Sequence, residues 1–155
     1  MASVPLTNNQ ESAARAGDDS ISATLPQIEA LLDESSARMF DGEYFEKMAT
    51  ELRRLHARVR VHHAANELNI CDESEANTAP ELLREQARLR GEHSDILGRL
   101  DRIIRSTNAL PDQTVEDKDV FFLRVRELLA TVRRHEAEED RLFYLAVWRE
   151  TGGES

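Results

Sequence analysis

Two short motifs place a histidine and a glutamate four residues apart. One runs from His63 to Glu67 in HAANE, and the other runs from His135 to Glu139 in HEAEE. On an α-helix, residues four apart lie on the same face, about one turn from each other. An imidazole nitrogen and a carboxylate oxygen placed in this way can bind one metal ion or two adjacent ions. The motifs therefore predict a metal site, provided that both lie on helices and face inward.

The residues around both motifs predict an inward orientation. Large apolar residues recur every three or four positions before His63, and a similar series contains His135 and Glu139 and continues to Leu142 and Ala146. This spacing is typical of the buried face of an amphipathic helix. A carboxylate buried without a partner costs several kcal/mol, so Glu139 needs a ligand or a hydrogen-bonding partner. Glu136 and Asp140 are interpreted instead as part of a solvated helix face.

Four amphipathic segments make up most of the chain, and strand-like alternation is nearly absent. They begin near residues 24, 43, 80 and 116 and end near residues 41, 70, 106 and 149. Four long helices with short connections predict an all-α, up-down-up-down four-helix bundle. Thr24 with Gln27 is typical of a capping box, and Pro26 is tolerated in a first turn, so the first helix is expected to begin at Thr24.

The length of 155 residues is that of one ordinary domain. Residues 1–22 contain few large apolar side chains and are expected to form a flexible tail. Residues 23–150 are expected to form the bundle, and residues 151–155 a short C-terminal tail.

Composition excludes several classes of function. The chain has 30 acidic and 20 basic residues and a formal net charge of −10, which argues against general binding of nucleic acid or anionic membrane. Its single cysteine excludes an intrachain disulfide framework and a Cys-rich zinc site. We find neither a signal peptide nor an apolar run long enough to span a membrane, so a cytoplasmic location is expected.

Four sequence segments resemble the helices of hemerythrin-like (HHE) cation-binding domains. RRHEAEEDRLFYLAV is similar to the last helix, which commonly carries H-x-x-x-E followed by Leu-Phe; VHHAANELNI, LLREQARLR and ALLDESSARM are similar to the second, third and first helices. The resemblance implies a non-haem di-iron site with histidines from all four helices and bridging carboxylates. It implies that His63, Glu67, His135 and Glu139 are metal ligands. The implied role is to bind or sense oxygen or nitric oxide, or to handle iron.

The sequence departs from the family pattern at two helices. Ser35 stands where the first helix carries a histidine, and Gln86 is the local match for the histidine of the third. Both are poor iron ligands beside imidazole. If the chain reverses near residue 111, the residue level with His135 is 87, next to Gln86, and His93 lies about 10 Å further along. His93 faces inward on the same helix, so it remains a candidate ligand.

Three further expectations concern the surroundings of the site. His56 is expected near His93, one tier from the main site, and His62 is expected to face the flank of the bundle because it is about 100° from His63 around the helix. The aromatic residues near the C-terminus are expected to form a hydrophobic plug: Phe143, Tyr144 and Trp148.

Two other functions stay open. Ser35 and Gln86 are what erosion of a metal site would leave, so a metal-free bundle that acts as a structural or protein-interaction module is the alternative. A di-iron oxidase or peroxidase is a weaker one, because the paired Glu-x-x-His motifs of ferritin-like proteins are absent from the sequence. Phosphate-binding, zinc-protease and serine-hydrolase motifs are also absent.

Overall fold

The computed structural model describes residues 21–34, 41–66 and 80–150. These residues contain no strand and form four α-helices: α1 (Ile21–Glu34), α2 (Gly42–Asn66), α3 (Pro80–Ser106) and α4 (Val115–Glu150). A single 3-10 turn, Leu110–Asp112, lies between α3 and α4. The prediction of an all-α four-helix fold is confirmed. None of these helices has an apolar stretch long enough to cross a lipid bilayer.

The helices pack in the order of an up-down-up-down bundle. Each helix packs against the next one in the chain, and α1 also packs against α4, which closes the ring of four. An ion pair between Glu29 of α1 and Arg133 of α4 spans that closing contact. Side-chain caps fix where two helices begin: Asp41 accepts a hydrogen bond from the Tyr44 amide at 3.0 Å, and Thr114 accepts one from the Asp117 amide at 3.1 Å.

The core divides into an aromatic end and a histidine end. Near the starts of α2 and α4, Phe45 packs edge to face against Phe121 and stacks on Phe122, with ring centroids 5.8 and 6.1 Å apart. A layer of fully buried aliphatic side chains follows along the helices, including Leu52, Leu55, Leu100 and Leu128. His63 lies 18 residues beyond Phe45 on α2, roughly 27 Å away along the axis.

The predicted start of α1 at Thr24 is wrong. The helix already includes Ile21, and Thr24 is fully buried within it, where its hydroxyl accepts a hydrogen bond from Arg58 of α2. Pro26 consequently lies inside the helix. The physical reason is burial, because Ile21 shares an apolar face with Leu25, and continuing the helix by one turn places it in the core.

Candidate metal centre

Three histidines from three different helices meet inside the bundle. His63 of α2, His93 of α3 and His135 of α4 have 5%, 8% and 2% of their surface exposed. One ring nitrogen from each lies within 4.8 Å of the others, a spacing at which the three nitrogens could bind one metal ion. Each histidine continues the apolar stripe of its helix, so the same packing that buries the stripes brings the rings together.

The expectation that Gln86 would lie level with His135 is wrong. The level residue is His93, whose ring centroid is 4.8 Å from that of His135. The midpoint of positions 93 and 135 is 114, so the chain reverses near Thr114 rather than near 111. The difference arises because the residues after α3 continue past its end through the 3-10 turn, with Leu110 buried, before α4 begins. A shift of three residues in the reversal point displaces the level by about six residues, or roughly 9 Å.

Glu139 lies at the centre of a hydrogen-bonded cluster. Its Oε1 accepts hydrogen bonds from His93 Nε2, at 2.8 Å, and from His135 Nε2. Its Oε2 accepts a hydrogen bond from His62 Nε2 at 2.9 Å. Because the side chain is 9% exposed, these histidines compensate the cost of burying its charge.

The same contacts shift the protonation of the cluster. Burial raises the pKa of Glu139, but the hydrogen bonds from His135, His62 and His93 outweigh burial and hold that pKa well below its usual range. Burial lowers the pKa of His135, yet its hydrogen bonds to Glu139 and Glu92 raise it overall. The centre therefore presents an ionised carboxylate to surrounding imidazoles.

His63 has a different environment. Its ring stacks on that of His93, with centroids 3.6 Å apart and an angle of 11° between the planes. Its Nδ1 is buried and has no hydrogen-bond partner. Burial, followed by the neighbouring His93 and His135, lowers its pKa to about 3. At neutral pH His63 is therefore an uncharged imidazole, which is the form that binds metals.

These observations fit a bound metal ion. An unpartnered buried nitrogen, two further imidazoles and an ionised carboxylate form the mixed nitrogen and oxygen donor set that transition metals take. An ion at this position would give a ring nitrogen of His63 a partner. It would also take the place of the hydrogens through which His93 and His135 now bond to Glu139.

The other residues named from the sequence are not among the described members of this cluster. Glu67 and Ser35 are outside the described residues. Gln86 is buried but lies seven residues, about two turns, before His93 on α3. His56 pairs with Asp101 at 3.3 Å and is level with that residue rather than with His93. The two helices are antiparallel, so moving from His63 back to His56 on α2 means moving forward from His93 on α3.

Sequence reasoning missed two residues beside the site. His62 is 37% exposed on the flank, as expected, but its ring also reaches Glu139. Glu92 accepts a hydrogen bond from His135 Nδ1 at 2.9 Å. The sequence does contain a signal for both residues, because His62 directly precedes His63 and Glu92 directly precedes His93. A long side chain next to an inward residue can turn toward the interior.

The predicted hydrophobic plug at the end of α4 is wrong. The inward positions there are taken by Leu142 and Ala146, which are 2% and 6% exposed. The aromatic side chains lie on the outer faces of the helix and are more than half exposed: Phe143, Tyr144 and Trp148.

Comparison with known families agrees with this geometry. Residues 19–147 match the family model described as the hemerythrin HHE cation binding domain. The match covers well over half of the chain, so the chain belongs to the hemerythrin HHE cation-binding family. A search of curated proteins and one of solved structures gave no match.

Proposed function

We propose that this protein binds non-haem iron at a centre formed by His63, His93, His135 and Glu139. The observation that carries the proposal is His63 Nδ1, which is buried without a partner beside two other imidazoles. Leaving such a nitrogen unsatisfied costs about 1–3 kcal/mol, which a metal ligand would offset. Imidazole with carboxylate is a donor set that suits iron, and membership of a cation-binding family supports the same conclusion.

The number of ions depends on the second motif. Glu67 stands four residues after His63 and remains a predicted carboxylate ligand. With Glu67, two adjacent ions can share the centre; with the described ligands alone, one ion is the simpler arrangement. The count of iron atoms per chain in the unmodified protein and in the Glu67→Ala variant separates these arrangements.

We further propose a small diatomic ligand, oxygen or nitric oxide, as the molecule that the centre binds or senses; storage or transfer of iron is the other role. A bound iron ion would supply the redox-active centre for such a ligand. The protein's part is to exclude water, and aliphatic side chains one turn from the histidines do this: Val59, Leu89, Ile96 and Val132. Visible absorption of the iron-loaded protein, measured before and after adding each gas, tests this role.

Iron content is the direct test of the centre. Protein expressed in iron-replete medium is analysed for metal in its unmodified form and as the His135→Ala and Glu139→Ala variants. The matched control is His56→Ala, which removes a histidine that pairs with Asp101 away from the cluster. We expect near-stoichiometric iron in the unmodified protein and the control, and a large loss in the other two. Iron near zero in the unmodified protein would contradict the proposal.

Glu139 supports a second candidate function. Both of its oxygens are engaged by histidine nitrogens, so the side chains of the cluster largely satisfy one another. The cluster can then act as a buried polar network in a bundle whose function is structural or lies in protein interaction. This candidate predicts no bound iron and an unchanged fold after simultaneous replacement of His63, His93, His135 and Glu139 by apolar residues.

A further inference from the structure

The ring of His135 is held at both nitrogens. Nε2 faces Glu139 in the centre, and Nδ1 donates to Glu92 Oε2 on α3 at 2.9 Å. The two acceptors lie on opposite edges of the imidazole, so together they fix the rotation of the ring. Glu92 stands outside the cluster of His63, His93 and His135, on the flank where α3 meets α4.

Glu92 is itself held in place from the other side. Its Oε1 accepts a hydrogen bond from Arg88 Nη1 at 2.7 Å, one turn earlier on α3. The same guanidinium donates through Nη2 to Oε2 of Glu138 at 2.8 Å. Glu138 is the residue before Glu139 on α4. Arg88 thus ties Glu92 to α4 beside the centre. Because the Glu92 side chain is 21% exposed, this pairing is only partly screened by water.

We propose that Glu92 is a positioning residue for His135. A neutral imidazole carries its hydrogen on one nitrogen and offers the lone pair of the other. By accepting from Nδ1, Glu92 keeps the hydrogen there and leaves Nε2 as the nitrogen presented to a metal ion. Histidines that bind metals commonly donate their other nitrogen to a carboxylate in this way. The effect of Glu92 on metal binding rests on the proposed iron centre, whereas the contact between Glu92 and His135 does not.

The affinity of the protein for iron tests whether Glu92 affects metal binding. Ferrous iron is titrated against a competing chelator into the unmodified protein and the Glu92→Leu, Glu92→Gln and Glu85→Gln variants. Glu85→Gln is the matched control, since Glu85 also pairs with Arg88 but not with His135. Loss of an outer carboxylate typically weakens metal binding 10–100-fold, so we expect this range for Glu92→Leu. The amide oxygen of Glu92→Gln can still accept, so a smaller loss is expected there, and less than twofold change in the control.

The ring itself provides a readout that needs no metal. Nitrogen-15 spectra of the metal-free protein report which ring nitrogen of His135 carries hydrogen. We expect hydrogen on both nitrogens in the unmodified protein and in Glu85→Gln, since Nδ1 faces Glu92 and Nε2 faces Glu139. In Glu92→Leu the hydrogen on Nδ1 should be lost and that on Nε2 retained. Circular dichroism and denaturant unfolding establish that the variants remain folded.

The two readouts separate the two proposals. If the unmodified protein takes up no iron, the iron centre is wrong, and the spectra alone decide the role of Glu92. If a folded Glu92→Leu variant keeps hydrogen on Nδ1, or binds iron within twofold of the unmodified protein, the positioning role is overturned.

Discussion

At the scale of single residues, Glu139 and His63 differ in whether their buried polar atoms have hydrogen-bond partners. Glu139 accepts hydrogen bonds from three histidines, whereas His63 Nδ1 is buried with no partner. An unsatisfied buried group lowers stability, and departures from good packing of this kind are expected at functional sites. Substitutions of these two residues should therefore change the stability of the metal-free protein in opposite directions.

Replacing His63 with leucine should stabilise the metal-free protein while abolishing iron binding. The variant removes the orphaned nitrogen and keeps an apolar side chain of similar size against His93. We expect the free energy of unfolding to rise by about 1 kcal/mol, which is the low end of the cost of an unsatisfied group. Denaturant unfolding with excess chelator measures this. A variant less stable than the unmodified protein would show that His63 already has a partner in the folded state.

Replacing Glu139 with glutamine should have the opposite effect on stability. The amide keeps the size of the side chain but loses the charge that the histidines face. Hydrogen bonds to a charged group contribute about 1.5–3 kcal/mol, so we expect a loss within this range. Chemical denaturation of the metal-free protein checks the value, with Asp140→Asn as the neighbouring control on the exposed side of α4. An equal loss in both variants would argue against a special role for Glu139.

At the scale of elements, the 14 described residues of α1 are held to neighbouring helices by specific polar contacts. Tyr44 of α2 donates its hydroxyl to the carbonyl of Leu31, and Arg58 of α2 donates to Thr24. Arg126 of α4 also reaches the carbonyl of Leu32, at 3.4 Å. These contacts supplement the apolar face of α1, which packs into the core.

Replacing Tyr44 with phenylalanine should loosen α1 and change the response to alkali. Burial, with a smaller effect of Glu34, raises the pKa of Tyr44 from 10.0 to about 12. The folded protein therefore holds this proton more tightly than the unfolded chain does. The stability that Tyr44 contributes is complete below pH 10 and is lost as the pH rises toward 12.

We expect Tyr44→Phe to cost about 0.5–1.5 kcal/mol at pH 8, the contribution of one hydrogen bond. Between pH 10 and 12 the difference from the unmodified protein should shrink, because the variant has no phenol to ionise. Unfolding curves across this range test both points. A difference that stays constant up to pH 12 would show that Tyr44 ionises equally easily in both states.

At the scale of the whole molecule, the proposed metal centre takes its ligands from three helices, α2, α3 and α4. A ligand that binds only the folded state stabilises it by about 2.7 kcal/mol at a hundredfold excess over Kd. For a chain of this length each kcal/mol raises Tm by about 2–4 °C, so saturating iron should raise Tm by roughly 5–10 °C. Calorimetry with and without iron measures the shift, and chelator should reverse it. The His135→Ala variant should show none.

Much of the fold follows from the sequence because its pattern is local and repeated. Apolar residues at helical spacing predict each helix and its buried face. On α4 the residues predicted to face inward are all buried: His135, Glu139, Leu142 and Ala146. The predicted start of α1 is wrong because capping is a weak local preference, which burial of Ile21 in the core outweighs.

The sequence by itself determined that His63, His93, His135 and Glu139 face the interior, since the period of each helix decides which side chains point inward. Only the tertiary structure decided which of them are level. Between antiparallel helices, an error in the position of the turn shifts the predicted level of a partner residue by twice as many residues. Because the chain reverses near Thr114, the residue level with His135 is His93 and not Gln86. The contacts of His62 and Glu92 likewise needed the structure, because side chains at the edge of a helix reach the centre only when neighbouring helices lie close enough to receive them.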